Sequence, residues 1–164
     1  MRINKHVAAF AVAASCLLMP LGALAQVPQY GANVSLDQAL KAVAGAMAEA
    51  RNIKVPMAVT VVDTAGQLVA FERMDNTQTG SIAVAQDKAV SAAMFRRSTK
   101  AFQDAVAGGG AGLRILTLRG ANAVEGGIPL VVDSKVIGAI GVSGGSAEQD
   151  GACAKAGADA LAAK

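Results

Sequence analysis

The chain has 164 residues, of which 53% are hydrophobic and 3% aromatic, and its formal net charge is +3. Its single histidine is His6, and its two cysteines are Cys16 and Cys153. If residues 1–25 are removed as a leader peptide, no imidazole and only one thiol remain. That composition excludes hydrolases with a histidine base, ordinary zinc sites and an intrachain disulfide.

Residues 1–25 have the pattern of a secretory signal peptide. Arg2 and Lys5 precede an apolar run over residues 7–19, and Ala-Leu-Ala at 23–25 matches a small-residue cleavage site. The run is shorter than the roughly 20 residues that a membrane-spanning helix needs. We therefore expect a periplasmic or secreted product with no stable membrane span; an uncleaved N-terminal anchor is the alternative.

The charge and length of the remaining chain limit the kinds of partner it can bind and the number of domains it can form. Removing Arg2 and Lys5 from the fifteen basic residues leaves thirteen against twelve acidic residues, a balance of +1. This balance provides no basic patch for a nucleic acid. We predict a polar arm over residues 26–34, either a tail or loosely docked, and one domain over residues 35–164.

Ser35 begins the first predicted helix. The sequence Ser-Leu-Asp-Gln is a capping box, in which Gln38 reaches back to the N-cap, and apolar residues then recur at helical spacing as far as residues 51–52. Residues 57–62 and 68–73 favour β-structure on either side of a turn, and they predict a hairpin.

Two helices follow the first hairpin. The apolar pattern predicts one helix over residues 82–95, with Ser81 as its N-cap, and a short helix capped by Ser98 or Thr99 that continues through Val106. Residues 108–112 read as a flexible, glycine-rich connection.

The next stretch contains one ambiguous segment and a second hairpin. Residues 113–118 fit either a short strand or a helical turn, and residues 122–127 read as a loop. Residues 128–132 and 136–142 predict the second hairpin. Ser146 then caps the last predicted helix. Two hairpins with helices beside them predict an α+β domain with an antiparallel sheet of two hairpins flanked by helices.

The last predicted strand is unusually poor in bulky and polar side chains. Gly138 and Ile140 alternate with Ala139 and Gly141, so neither face is polar and both faces must be covered. The C-terminal helix can cover one face. For the other face we expect a second chain or a ligand; tight packing within one chain is the alternative.

Two stretches carry candidate binding groups around the first hairpin and the second helix. Arg73 and Met74 leave the hairpin together, and Arg73 could hold a carboxylate by two hydrogen bonds, or form a surface salt bridge. Lys88 lies in mid-helix near the apolar stripe. A buried lysine can act as a base, whereas a solvated lysine extends its amine into water.

Two further stretches place polar groups at element boundaries. Arg96, Arg97 and Thr99 lie between two helices, where cations and helix N–H groups suit an anion. The alternative is a hydrophilic turn. Glu125 precedes Gly126 and Gly127, whose backbone could face a ligand or form a bend that only glycine tolerates.

Three stretches in fixed order carry a family resemblance: VVDTAGQLVAFERMD, SIAVAQDKAVSAAMFRRST and GGIPLVVDSKVIGAIGVSGGSAEQD. Together they resemble the GlcG/HbpS-like family of haem-binding or haem-degrading domains, and the match extends over residues 35–161. The resemblance implies a profilin- or PAS-like α+β fold that assembles as dimers or larger rings such as octamers. It implies haem binding in some members and leaves open whether this chain is an enzyme.

The exported chain departs from that pattern, because it has no histidine to bind haem iron axially. The remaining candidates for an iron ligand are side chains with an oxygen, sulfur or amine donor: Tyr30, Met74, Cys153, a lysine and Thr99. We expect the haem site at the end of the second helix, with Phe95 as an apolar wall, Arg96 and Arg97 as propionate partners and Thr99 as the metal ligand.

These observations support three functional hypotheses. The first is an exported oligomeric haem-binding protein, with slow haem or iron chemistry if any. The second is a periplasmic protein that binds a small organic acid, or an accessory catabolic enzyme, using Arg73, Lys88 and Glu125. The third is a non-enzymatic sensory partner of a membrane receptor.

Overall fold

The computed structural model describes residues 27–162, so the predicted signal peptide lies outside the described residues. The elements of this part follow in chain order: β1 (Gln29–Tyr30), α1 (Leu36–Asn52), β2 (Ala58–Asp63), β3 (Leu68–Arg73), α2 (Ser81–Phe95), α3 (Thr99–Ala107), a 3₁₀ segment (Gly110–Thr117), β4 (Gly127–Val132), β5 (Lys135–Ser143) and α4 (Ala147–Ala162). This order confirms the predicted α+β class and both hairpins. Between residues 27 and 162, no helix has the length and hydropathy to cross a membrane.

The five strands form one sheet with β5 in its interior. β5 pairs antiparallel with β4 along one edge and with β2 along the other, and β2 continues to β3. β1 is short and parallel to β5, opposite Lys135 and Val136, just beyond the end of β2. The two hairpins therefore lie side by side, joined through β2 and β5.

Both faces of β5 are covered by helices of the same chain. On one face, a Cβ added at Gly141 would overlap the carbonyl oxygen of Ala85 in α2 and lie 2.5 Å from the amide nitrogen of Ala89. On the other face, Ile140 and Val142 enter the main core with residues of α1 and α4. The expectation that a second chain or a ligand covers one face is wrong, because α2 occupies that face at backbone contact distance.

The polar arm is docked rather than loose. The amide of Gly31 donates to the carbonyl of Val136 at 2.8 Å, and the amide of Val34 donates to Ile137 at 2.7 Å. The hydroxyl of Tyr30 lies 2.9 Å from the carbonyl oxygen of Ala93, at the end of α2. The arm docks because the start of β5 extends past β2 and leaves backbone groups there for pairing.

Three local predictions need correction or completion. Gly80, not Ser81, is the N-cap of α2; Ser81 is buried in the first turn, where its hydroxyl lies 3.1 Å from that of Ser143. The ambiguous residues 113–118 largely belong to the 3₁₀ segment. That segment begins at Gly110, so the connection is shorter than predicted, and Gly109 and Gly110 turn the chain with φ of 66° and 54°.

Candidate functional site

A groove of about 490 Å³ lies beside α3 and the 3₁₀ segment. This volume falls within the roughly 300–1,000 Å³ typical of small-molecule sites. We call it the aromatic groove, and its lining residues are Phe95, Arg97, Ala101, Phe102, Ala105, Arg114, Ile115 and Leu118.

The end of α2 and the start of α3 build the apolar wall of the groove. Arg96 is the C-cap of α2 and adopts a left-handed conformation with φ of 52°, which turns the chain toward α3. The rings of Phe95 and Phe102 then meet edge to face, with centroids 5.2 Å apart and planes at 83°. Phe102 is only 4% exposed, so this wall is anchored in the packing of α3.

Two arginines give the groove its charge. The guanidinium of Arg97 lies 5.6 Å from the ring centroid of Phe102, and its Nε donates to the carbonyl of Phe95 at 3.3 Å. Within residues 27–162, neither Arg97 nor Arg114 forms an ion pair with a carboxylate. The groove therefore offers an apolar body and two guanidinium groups that can each bind an anionic oxygen in planar geometry.

The structure separates the four residues expected to form the haem site. Phe95 and Arg97 line the aromatic groove. Arg96 does not, since its Nη1 donates to the carbonyl of Pro28 at 3.0 Å and its guanidinium lies 5.0 Å from the ring centroid of Tyr30. The left-handed turn at Arg96 sends these neighbouring arginines to different contacts.

The expectation that Thr99 supplies a metal ligand is also corrected. Thr99 is fully buried, and its hydroxyl oxygen accepts a hydrogen bond of 2.9 Å from the amide of Gly127. The first residue of α3 thus ties that helix to the first residue of β4, and its hydroxyl does not reach the groove.

The other candidate iron ligands lie elsewhere. Tyr30 is hydrogen-bonded to the end of α2, Met74 packs against the main core, and Cys153 is buried inside that core. Over residues 27–162, the groove is lined by no imidazole, thiol, thioether, phenol or amine. The same part of the chain has no group of three or more His, Cys, Asp or Glu side chains placed to hold a metal ion.

Burial of Cys153 leads to a chemical prediction. Desolvation is the main cause that raises the pKa of its thiol to about 11, with smaller contributions from Glu49 and Asp150. We expect the folded chain beginning at Gln26 to resist labelling by a disulfide reagent at neutral pH, because both access and thiolate are lacking. Labelling in concentrated urea should be complete. Equal rates in the folded and unfolded protein would contradict this burial.

A second polar cluster lies in the interior beside the Gly126-Gly127 turn. Lys88 is 1% exposed; its Nζ lies 2.6 Å from Oδ2 of Asp150 and donates to the carbonyl of Val142 at 3.1 Å. The solvated-lysine alternative is therefore wrong. Burial raises the pKa of the Asp150 carboxyl, and hydrogen bonds from Lys88 and the Gly145 amide oppose that rise.

The two glycines allow the chain to pass directly over this ion pair. Gly126 has a φ of 126°, and a Cβ there would lie 2.9 Å from Nζ of Lys88. At Gly127 a Cβ would overlap the carbonyl oxygen of Lys88 and lie 2.7 Å from Thr99. The bend that only glycine tolerates is therefore what the structure contains.

A small cavity of about 170 Å³ borders the same turn, with Glu125, Lys100 and Lys155 among its lining residues. Both lysines form exposed ion pairs with aspartates four residues later in their own helices. Arg73 lies at the exposed end of β3, and Lys88 is buried. The three residues of the organic-acid hypothesis thus do not line one site.

Sequence reasoning missed several residues of these sites, which are Phe102, Arg114, Ile115, Leu118 and Asp150. A 3₁₀ interpretation of residues 113–118 would have put Ile115 and Leu118 on one face by their spacing of three. No local signal could have paired Asp150 with Lys88, because the two are 62 residues apart.

The fold and the groove define a small α+β domain with a mainly antiparallel sheet, helices on both faces and a cationic, aromatic groove at the end of α2. The chain belongs to the HbpS-like family: the family described as "Haem degrading protein HbpS-like" matches residues 34–159. This match confirms the family predicted from the sequence.

Individual relatives agree with this assignment. The chain is 36% identical to protein GlcG of Escherichia coli K12 over 110 residues, which are 67% of this chain and 81% of GlcG. It is similar to the crystal structure of Klebsiella pneumoniae protein ORFY, with a TM-score of 0.74 and 31% identity. The match covers 86% of this chain and 99% of ORFY. It is also similar to the crystal structure of a PduOC–haem complex, with a TM-score of 0.70 and 29% identity. The match covers 78% of this chain and 94% of the PduOC chain.

Proposed function

We propose that this protein is an exported haem-binding protein whose ligand lies in the aromatic groove. The observation that carries the proposal is a T-shaped phenylalanine pair beside two arginines that have no carboxylate partner within residues 27–162. A haem has a flat apolar ring and two propionates, which match this combination. The HbpS-like family and the similarity to a PduOC–haem complex support the proposal.

The residues of the groove fit the organic part of haem. Phe95, Ile115 and Leu118 would contact the ring, and Arg97 and Arg114 would bind the propionates. Among the described residues, none that lines the groove supplies an iron ligand, so we assign the groove a binding role. Bound haem would bring an iron centre capable of redox chemistry.

Export and self-association complete the proposal. The pattern of residues 1–25 supports export, and exposed apolar side chains support contact with a second copy; Leu113, Leu116 and Val124 are 48%, 67% and 46% exposed. We expect protein recovered from the periplasm to begin at Gln26 and to have the native mass of an oligomer. A retained leader would contradict export with cleavage, and a monomeric native mass would contradict self-association.

The test of haem binding is a titration of the purified chain beginning at Gln26 with hemin. We expect a saturable Soret shift, which Arg97→Glu and Arg114→Glu each weaken by about tenfold or more, since a hydrogen bond to a charged group contributes about 1.5–3 kcal/mol. Arg119→Glu is the matched control, because Arg119 carries the same charge in the turn just after the 3₁₀ segment and does not line the groove.

Two outcomes would contradict the proposal. One is the absence of a Soret shift at micromolar hemin, where albumin gives one. The other is an equal loss of affinity in Arg119→Glu, which would show that net charge rather than the groove determines binding.

A further inference from the structure

We infer that the aromatic groove recognises a tetrapyrrole through its ring and its carboxylates, not through its metal, so that metal-free porphyrins are ligands as good as haem. This inference rests on the proposed function. It adds the ligand class of the groove: planar dicarboxylic tetrapyrroles, with or without iron.

The side chains that could bind haem iron lie outside the groove. Proteins hold haem iron with histidine, cysteinate, methionine or tyrosine side chains. In the described part of the chain, the phenol of Tyr30 is hydrogen-bonded at the end of α2, and the thiol of Cys153 is fully buried. The hydroxyl of Thr99 is engaged by Gly127. Each of these groups is engaged or buried elsewhere, and none of them lines the groove.

One thioether near the groove is exposed and must be considered separately. Met94 precedes Phe95 and is 51% exposed. Its Sδ lies toward Gly120, 3.9 Å from the position of an added Cβ, and Met94 is not among the residues that line the groove. Met94 is therefore the residue to replace if an iron ligand is suspected.

The groove provides contacts for the ring and the carboxylates of a tetrapyrrole. The edge-to-face pair of Phe95 and Phe102 gives an apolar wall, and the guanidinium of Arg97 lies over the ring of Phe102. Aromatic faces and arginine planes both stack on flat conjugated ligands. Arg97 and Arg114 attract the carboxylates. Every one of these contacts is available to a porphyrin that carries no metal.

Two tetrapyrroles of nearly the same shape differ only at the metal. Hemin and protoporphyrin IX present the same ring edge, the same methyl and vinyl groups and the same two propionates. If no bond to iron forms, the interactions lost on removing the iron are few. The two dissociation constants should then be close, whereas an axial bond would favour hemin strongly.

The experiment uses the intact chain beginning at Gln26 and two probes. Hemin is titrated by its Soret band and protoporphyrin IX by its fluorescence, and each is then used to displace the other. We expect dissociation constants that agree within about threefold, a difference of less than RT ln 10. Arg114→Glu should weaken both by the same factor, Arg119→Glu should leave both unchanged, and Met94→Leu should also leave both unchanged.

The outcomes separate this inference from the proposed function. Hemin binding at least about tenfold tighter than protoporphyrin IX would overturn the inference and leave haem binding in place. A loss of hemin binding alone in Met94→Leu would do the same and would identify the iron ligand. Binding of neither probe would overturn both the inference and the proposed function.

Discussion

Replacing Lys88 with methionine is expected to lower the free energy of unfolding by about 3–5 kcal/mol. The Lys88 Nζ and Asp150 Oδ2 are 2.6 Å apart and almost fully buried, with side-chain exposures of 1% and 4%. Removing the amine leaves the Asp150 carboxylate in the interior without its counter-ion. An unpaired buried charge strongly destabilises the folded state. Urea denaturation measures the loss, which is a large fraction of the roughly 5–15 kcal/mol typical of a domain.

The control for this prediction is an exposed ion pair in the same protein. Lys100 pairs with Asp104 at 2.8 Å, but both side chains are more than half exposed. Lys100→Met should therefore change the free energy of unfolding by no more than about 0.5 kcal/mol. Combining Lys88→Met with Asp150→Asn should recover part of the loss, because the isolated charge is removed. A loss below about 1 kcal/mol in Lys88→Met would contradict the buried pair.

The pH dependence of this variant has a definite sign. Burial is the main cause that raises the pKa of Asp150 in the folded protein above its unfolded value. The folded state therefore binds more protons between the two values, and the contribution of this group to stability is lost as pH rises through that window. Removing Lys88 raises the pKa further. The stability deficit of Lys88→Met should thus shrink as the pH is lowered.

Gly141→Ala is expected to lower the free energy of unfolding by about 3 kcal/mol. The added methyl group would overlap the carbonyl oxygen of Ala85, and it would lie 2.5 Å from the amide nitrogen of Ala89 and 3.0 Å from its Cβ. Two of these atoms belong to the backbone of α2, so no side-chain rotation relieves the contact. The whole helix must shift away from β5, which separates the layers over both Ala85 and Ala89.

The glycine at the N-cap of α2 provides the matched control. Gly80 precedes α2 with φ of −62° and ψ of −25°, and a Cβ there would meet nothing within 4 Å. Gly80→Ala should change the free energy of unfolding by less than about 1 kcal/mol, since the backbone is already one that alanine adopts. Similar unfolding midpoints for the two variants would show that α2 does not pack against β5 at backbone distance.

Elements that depend on neighbouring residues were predictable. Ser35 and Gln38 form the predicted capping box, with hydrogen bonds of 2.9 and 3.2 Å between each side chain and the other's backbone amide. Ser146 and Gln149 repeat this arrangement at α4. Such caps involve residues three apart, so they can be read directly from the chain. The docked arm was not predictable, because β1 pairs with a strand more than a hundred residues later.

The candidate site was predictable only in part. Phe95 and Arg97 lie at a predicted helix end beside other cations, which predicts them as site residues, and both line the aromatic groove. The same proximity in sequence predicts Arg96 and Thr99 as site residues, but both lie outside the groove. Arg96 is itself left-handed and turns the chain toward α3, and nothing in the sequence pattern shows which of the two adjacent arginines lines the groove.

By itself, the sequence determined the local elements, the two hairpins and the family, because caps, turns and periodic apolar residues act over a few positions. It also required cover on both faces of β5, since neither face carries polar side chains. Only the tertiary structure decided what provides that cover, which carboxylate neutralises Lys88 and which residues line the groove. These choices join residues far apart in the chain, and they follow from how helices pack on the sheet rather than from any single segment.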